Sequence, residues 1–250
     1  MKGSVFLFIF FLTIFSFGQN LTDSKGRKQG AWSKVYPGTK VYQYKGQFKD
    51  DKPVGTFTYY YESTKVKAIV KHGETTDRSE AFYYHENGKL MSYGIFRSQK
   101  KDSIWLNFGP SGRLSNSETY QKDLLNGKKT VYYVPEDPND KTQVVSAVMY
   151  YTDGKLNGDY AEYFPNGAVK EKGKYDMDRK VGIWERYHVT GKKMVQERYK
   201  LGLRNGWCYA YNEGGTEIGK KFYWEGVAYT GKGLEAKLKE LKRKGIDPNQ

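Results

Sequence analysis

The residues able to do chemistry are few, and their spacing does not gather them. His72, His85 and His188 are the only histidines in 250 residues. No pair of them has the spacing of a zinc motif. The single cysteine, Cys208, excludes an internal disulfide and any multi-thiolate zinc or iron–sulfur site. No nucleophile elbow, phosphate loop or dinucleotide fingerprint joins a strand to a helix, so no cofactor is expected. The paired acids Asp50-Asp51 and Glu136-Asp137 fall where turns are predicted, and there a solvated carboxylate is the default. A glycosidase would need two carboxylates facing one cleft. The expectation is a chain with no catalytic, metal or cofactor site.

What positions these residues begins after a removable leader. Lys2 precedes an almost unbroken apolar run from Val5 to Phe17, and Ser16-Phe17-Gly18 offers small residues at the −3 and −1 positions of a cut after Gly18. This reads as a signal peptide over residues 1–18, with an uncleaved anchor as the alternative. The run is too short to span a bilayer comfortably as a helix. An exported chain of net charge +14 points to a polyanionic or acidic partner. Export removes nucleic acid from consideration and leaves anionic lipid, acidic cell-wall polymer and acidic proteins.

The remainder is repetitive. Gly182-Ile183-Trp184-Glu185-Arg186-Tyr187 and Gly206-Trp207-Cys208-Tyr209-Ala210-Tyr211 superpose with a shift of 24 residues, and the frame extends back to starts at 30, 55, 79, 103, 127 and 158. One unit, starting at Gly127, is longer, and its extra residues include Pro135 to Asp140, a composition suited to a surface loop. Two residues after the start stand Trp32, Phe57, Ala81, Trp105, Lys129, Tyr160, Trp184 and Cys208. Five residues after it stand Val35, Tyr60, Tyr84, Phe108, Tyr132, Tyr163, Tyr187 and Tyr211. Asn87-Gly88 and Asn166-Gly167 mark hairpin turns, and Asn126-Gly127, Asn157-Gly158 and Asn205-Gly206 read as turns that open units. Each unit is then a hairpin of two strands of about six residues. The two aromatic positions have opposite parity, so either both sheet faces are covered or a bulge intervenes.

This frame of Gly, aromatic, Tyr, Asn-Gly turn, then Gly and Tyr resembles the MORN repeat, and most closely its bacterial MORN-variant, antitoxin-like branch. The resemblance covers about residues 26–229. It departs at Ser79 and Ser103 for the opening Gly, at Lys129 for the aromatic and at Thr64 for the turn Gly. The implied fold is all-β: an elongated, twisted antiparallel meander of about eight hairpins at 30–229, after an N-terminal segment at 19–29. Hairpins of this kind need neighbours for stability. A short basic amphipathic helix and tail occupy 230–250, and the helix, with Leu234, Leu238 and Leu241 on one stripe, either caps the last hairpin or lies on a membrane.

Function is then expected from the surface. Aromatics outside the periodic positions, namely Tyr42, Tyr44, Tyr59, Tyr61 and Trp224, are the candidate contacts, together with Lys170, Lys172 and Lys174, which share one strand parity. His85 and His188 hold the same place in their units, and Cys208 holds a packing position. The expected role is a non-enzymatic scaffold or protein-binding module in a bacterial envelope, periplasmic or associated with the outer membrane, with an extracellular location as the alternative. An antitoxin-like inhibitor of a partner protein and a binder of anionic lipid or wall polymer through the basic face are the alternatives.

Overall fold

A computed structural model describes residues 19–73, 76–135, 137, 140 and 142–249. The predicted leader at 1–18, together with Glu136, Pro138 and Asn139 of the long loop, lies outside them. Within the described residues the chain is all-β apart from one C-terminal helix, and every strand pairing is antiparallel. It divides into two compact units at residues 74–75.

The first unit holds β1 (Leu21–Thr22), β2 (Lys28–Val35), β3 (Tyr42–Lys49), β4 (Lys52–Tyr60) and β5 (Val66–His72); β1 pairs with β2 at Lys28 and Gln29, and β2 to β5 pair in chain order. The second unit runs as β6 (Arg78–Tyr84), β7 (Leu90–Arg97), β8 (Lys100–Phe108), β9 (Leu114–Gln121), β10 (Leu124–Tyr132), β11 (Val145–Thr152), β12 (Lys155–Tyr163), β13 (Val169–Asp176), β14 (Arg179–Tyr187) and β15 (Lys193–Lys200). It ends in β16 (Leu203–Arg204), β17 (Gly206–Tyr211), β18 (Glu217–Trp224), β19 (Val227–Tyr229) and the helix α1 (Gly231–Arg243). The eight predicted hairpins are β2–β3, β4–β5, β6–β7, β8–β9, β10–β11, β12–β13, β14–β15 and β17–β18.

Most of these strands are eight or nine residues long, longer than expected, because the turns between hairpins lie upstream of the unit-opening glycines. Those turns are two-residue connections with both residues at positive φ: Asp50-Asp51, Ser98-Gln99, Lys122-Asp123, Asp153-Gly154, Met177-Asp178, Leu201-Gly202 and Glu225-Gly226. Such turns match the right-handed twist of the strands they join. Asp51, Asp123 and Asp178 each accept the backbone N–H of a residue in the preceding hairpin, Lys28, Lys101 and Leu156, at 2.8, 2.6 and 2.8 Å. Asp50-Asp51 is therefore in a turn as expected, and its carboxylates hold one hairpin to another.

The opening Asn-Gly pairs do not form turns. Gly127 and Gly158 lie inside β10 and β12 at φ 120 and 115, where the pairing register slips. The turns inside the hairpins are of another kind. In Asn87-Gly88 and Asn166-Gly167 only the glycine has positive φ, and the Gly88 N–H closes on the His85 carbonyl at 2.8 Å. Thr64 takes the same left-handed place in its hairpin at φ 71.

Both readings of the aromatic parity hold together. Each hairpin has a register slip between the fourth and fifth residues after the start, as at Tyr59/Tyr60 and Arg186/Tyr187. The unpaired residue lies on the second strand, so the first strand keeps its alternation and presents its two aromatics to opposite faces.

Candidate binding surfaces

In each unit, one face of the sheet is built from aromatics laid across glycines. Phe57, Trp105 and Trp184 are buried to 2%, 1% and 2% exposure. Each covers a glycine on the neighbouring strand, Gly46, Gly94 and Gly173, in the space a β-carbon there would need. The Trp105 and Trp184 indole N–H groups donate to the carbonyls of Ile95 and Lys174, each at 3.1 Å. Edge-on aromatics flank them: Phe48 stands 5.1 Å from Phe57, Phe96 5.0 Å from Trp105 and Tyr175 4.9 Å from Trp184. Lys101 and Lys180 cover the tryptophans at 4.4 and 3.7 Å from the ring centroids, which adds cation–π attraction. This is the packed core of each unit's sheet.

Where the aromatic is missing, the glycine is too. Lys129 replaces it in the fifth hairpin, and Glu118 stands across from it with an ion pair of 2.8 Å. Tyr120 donates to Glu118 at 2.9 Å, and Asn107 donates to Glu118 at 3.2 Å and to Asn116 at 2.7 Å. Partial burial works to raise the Glu118 carboxyl, but the hydrogen bonds from Lys129 and Tyr120 outweigh it and hold the group below its usual range. Burial, with Glu118 beside it, pushes the Tyr120 hydroxyl up to about 12. Glu197 makes a second such node, buried to 8% exposure, accepting from Tyr199 at 3.0 Å and paired with Arg204 at 2.8 Å.

The opposite face is more open. Ile104 and Ile183, each next to a buried tryptophan in sequence, are 57% and 43% exposed. Glu185 lies here between Lys172 at 3.3 Å and Lys193 at 2.6 Å and accepts from Tyr187 at 2.7 Å. Burial opposes its ionisation, yet the bonds from Lys193, Tyr187 and Lys172 bring its carboxyl down to about 2.

The predicted contact residues separate in the structure. Lys172 and Lys174 share this open face, each with an acid partner, Lys174 meeting Asp159 at 3.4 Å. Lys170 falls at a register slip and reaches Glu162 at 2.7 Å, two residues from Tyr160 and on the same packed face. The expected basic face is thus a set of cross-strand ion pairs. Tyr44 and Tyr59 belong to the packed face, with ring centroids 5.9 Å apart and Tyr44 5.9 Å from Phe57. Tyr42 and Tyr61 lie under Lys45 and Lys67 at 3.9 and 5.7 Å. Trp224 is beside α1, with the Lys237 ammonium 6.0 Å from its ring. Leu241 of α1 and Phe222 of β18 are buried to 2% and 0% exposure, and Asn249 accepts from the Trp207 N–H at 3.3 Å. The helix and tail thus pack against the last hairpin.

The histidines have a repeated structural part. His85 Nε2 lies 2.9 Å from the Phe108 carbonyl and His188 Nε2 3.4 Å from that of Tyr211. Tyr36 and Tyr133, six residues after their own starts, likewise donate to the carbonyls of Tyr60 and Tyr163 at 2.8 and 2.6 Å. Each ties its turn to the next hairpin. Cys208 is 8% exposed, and burial pushes its thiol up. Among the described residues no group of three His, Cys, Asp or Glu side chains could hold a metal ion. No protein-family model matches the chain, and no curated protein matches it.

Proposed function

We propose that the chain is an exported, non-enzymatic repeat protein of MORN-like type that binds a partner protein in the bacterial envelope. The observation that carries this reading is the open face of the second unit, where Ile104 of β8 and Ile183 of β14 are exposed and Lys172 and Lys174 are already matched by acids across strands. Exposed apolar side chains on a face whose charges are matched suit protein contact. Glu118 and Glu185 are held ionised by their partners, the reverse of the raised carboxyl that a general acid needs. The export part of the proposal rests on the leader at residues 1–18.

The test is affinity capture from an envelope extract with the mature chain, followed by salt washes. Recovery of one protein in stoichiometric amount, lost with an Ile104→Asp/Ile183→Asp variant, is the expected result. Recovery of murein or lipid alone contradicts it. That outcome would favour a second reading, contact with anionic lipid or wall polymer through α1. Its Lys232, Lys239, Lys242 and Arg243 are exposed and make no ion pair among the described residues. Such binding would fall steeply as salt rises. An antitoxin-like inhibitor requires that its target be exported too.

A further inference from the structure

The array stops before its last strand is covered. β18 pairs with β17 along its length, but on its other side β19 reaches only Phe222, Tyr223 and Trp224. The chain then leaves the sheet at Thr230 to form α1. Thr230 stands 24 residues after Gly206, where a ninth hairpin would begin. Glu217 to Lys221 are all exposed, and among the described residues no strand pairs with them on the side away from β17. In an antiparallel strand alternate backbone groups point to each side, so this edge offers unpaired donors and acceptors.

The repeat itself supplies the register and the charge that such an edge would accept. Lys172, fourteen residues after its start, stands opposite Glu185, three after the next, and pairs with it at 3.3 Å. Glu118, fifteen after its start, stands opposite Lys129, two after the next, and pairs with it at 2.8 Å. Lys220 and Lys221 occupy these same two positions in the last hairpin. Neither has an ion pair among the described residues; Lys220 rests over the Trp207 ring at 4.9 Å. A strand added here would set adjacent residues opposite the two lysines, one on each face.

We infer that the edge at Glu217–Lys221 takes an extended segment of a partner protein as an added strand, with two consecutive acidic residues opposite Lys221 and Lys220. The inference rests on the protein-binding reading and names the chemistry of the partner. Main-chain hydrogen bonds supply affinity and the acid pair fixes register.

The probe is a fluorescent peptide, Thr-Thr-Val-Glu-Glu-Val-Thr-Thr, followed by anisotropy. Three companions serve as controls: the wild-type protein against a peptide with Lys-Lys in place of Glu-Glu, a peptide with both valines replaced by proline, and the protein variant K220E/K221E. Both substituted lysines are exposed, and circular dichroism checks that the variant keeps its sheet. Saturable binding of the acidic peptide is expected, weakened roughly tenfold in the variant, the scale of two exposed charge pairs. The Lys-Lys peptide should bind the variant instead, and the proline peptide should not bind, because it lacks the N–H groups a strand needs. Absence of saturable binding, equal binding by the variant, or equal binding of the proline peptide overturns the inference. An envelope protein that binds K220E/K221E as tightly as the wild type also overturns it, while leaving the broader binding reading in place.

Discussion

The indole of Trp184 occupies the space that a β-carbon on Gly173 would require. The two residues are eleven apart, and the same separation joins Gly46 to Phe57 and Gly94 to Trp105. Size on one strand is thus matched to absence on its neighbour, and this match gives the sheet of each unit a packed face.

Gly173→Ala should therefore destabilise the protein by about 1–3 kcal/mol, the usual cost of forcing volume into a packed site. Denaturant unfolding measures it. In Trp184→Ala the added methyl has room, so the double variant should cost less than the two single changes together.

The Glu118–Lys129 pair replaces that match with charge. Glu118→Lys should lower stability because it sets two half-buried ammonium groups side by side. Adding Lys129→Glu should recover part of the loss. Recovery stays incomplete because Tyr120 and Asn107 are arranged to donate to a carboxylate at position 118. Thermal melts of the three variants check this.

Glu185 carries a pH dependence. Its folded carboxyl lies at about 2 against an ordinary 4.5, so the unfolded chain binds the proton more readily. Its contribution is fully present above about pH 4.5 and is lost as pH falls toward 2. Melting temperature should decline through that window, and Glu185→Gln should flatten the decline. The difference between wild type and variant should be on the order of 1–2 kcal/mol near neutral pH.

Thr64 holds a left-handed backbone that a β-branched residue adopts at a cost. Thr64→Gly should stabilise the protein by about 1 kcal/mol, read as a rise in denaturation midpoint.

Much of this architecture is legible in the chain because packing repeats on the same frame as the residues. Trp105 and Trp184 recur two after their starts and prove to be core, and the fold follows. The strand ends were less visible. Met177-Asp178 and Ser98-Gln99 turn tightly without a glycine, while Asn157-Gly158 carries a turn sequence inside a strand. The neighbours across the sheet decided these, and no local pattern reports them. Lys170 shares parity with Lys172 and Lys174, but a one-residue slip sends it to Glu162. The partnership of Lys180 with Trp184 could have been found, since Lys28, Lys101, Lys180 and Arg204 all stand two residues before a start.

The central claim is that this array works by holding another protein. Native mass spectrometry of the mature chain, purified with what it retains from the envelope, tests it most directly. The account predicts a discrete complex whose added mass is that of one polypeptide in fixed ratio. A bare chain, or a spread of masses from bound lipid or polymer, would contradict it.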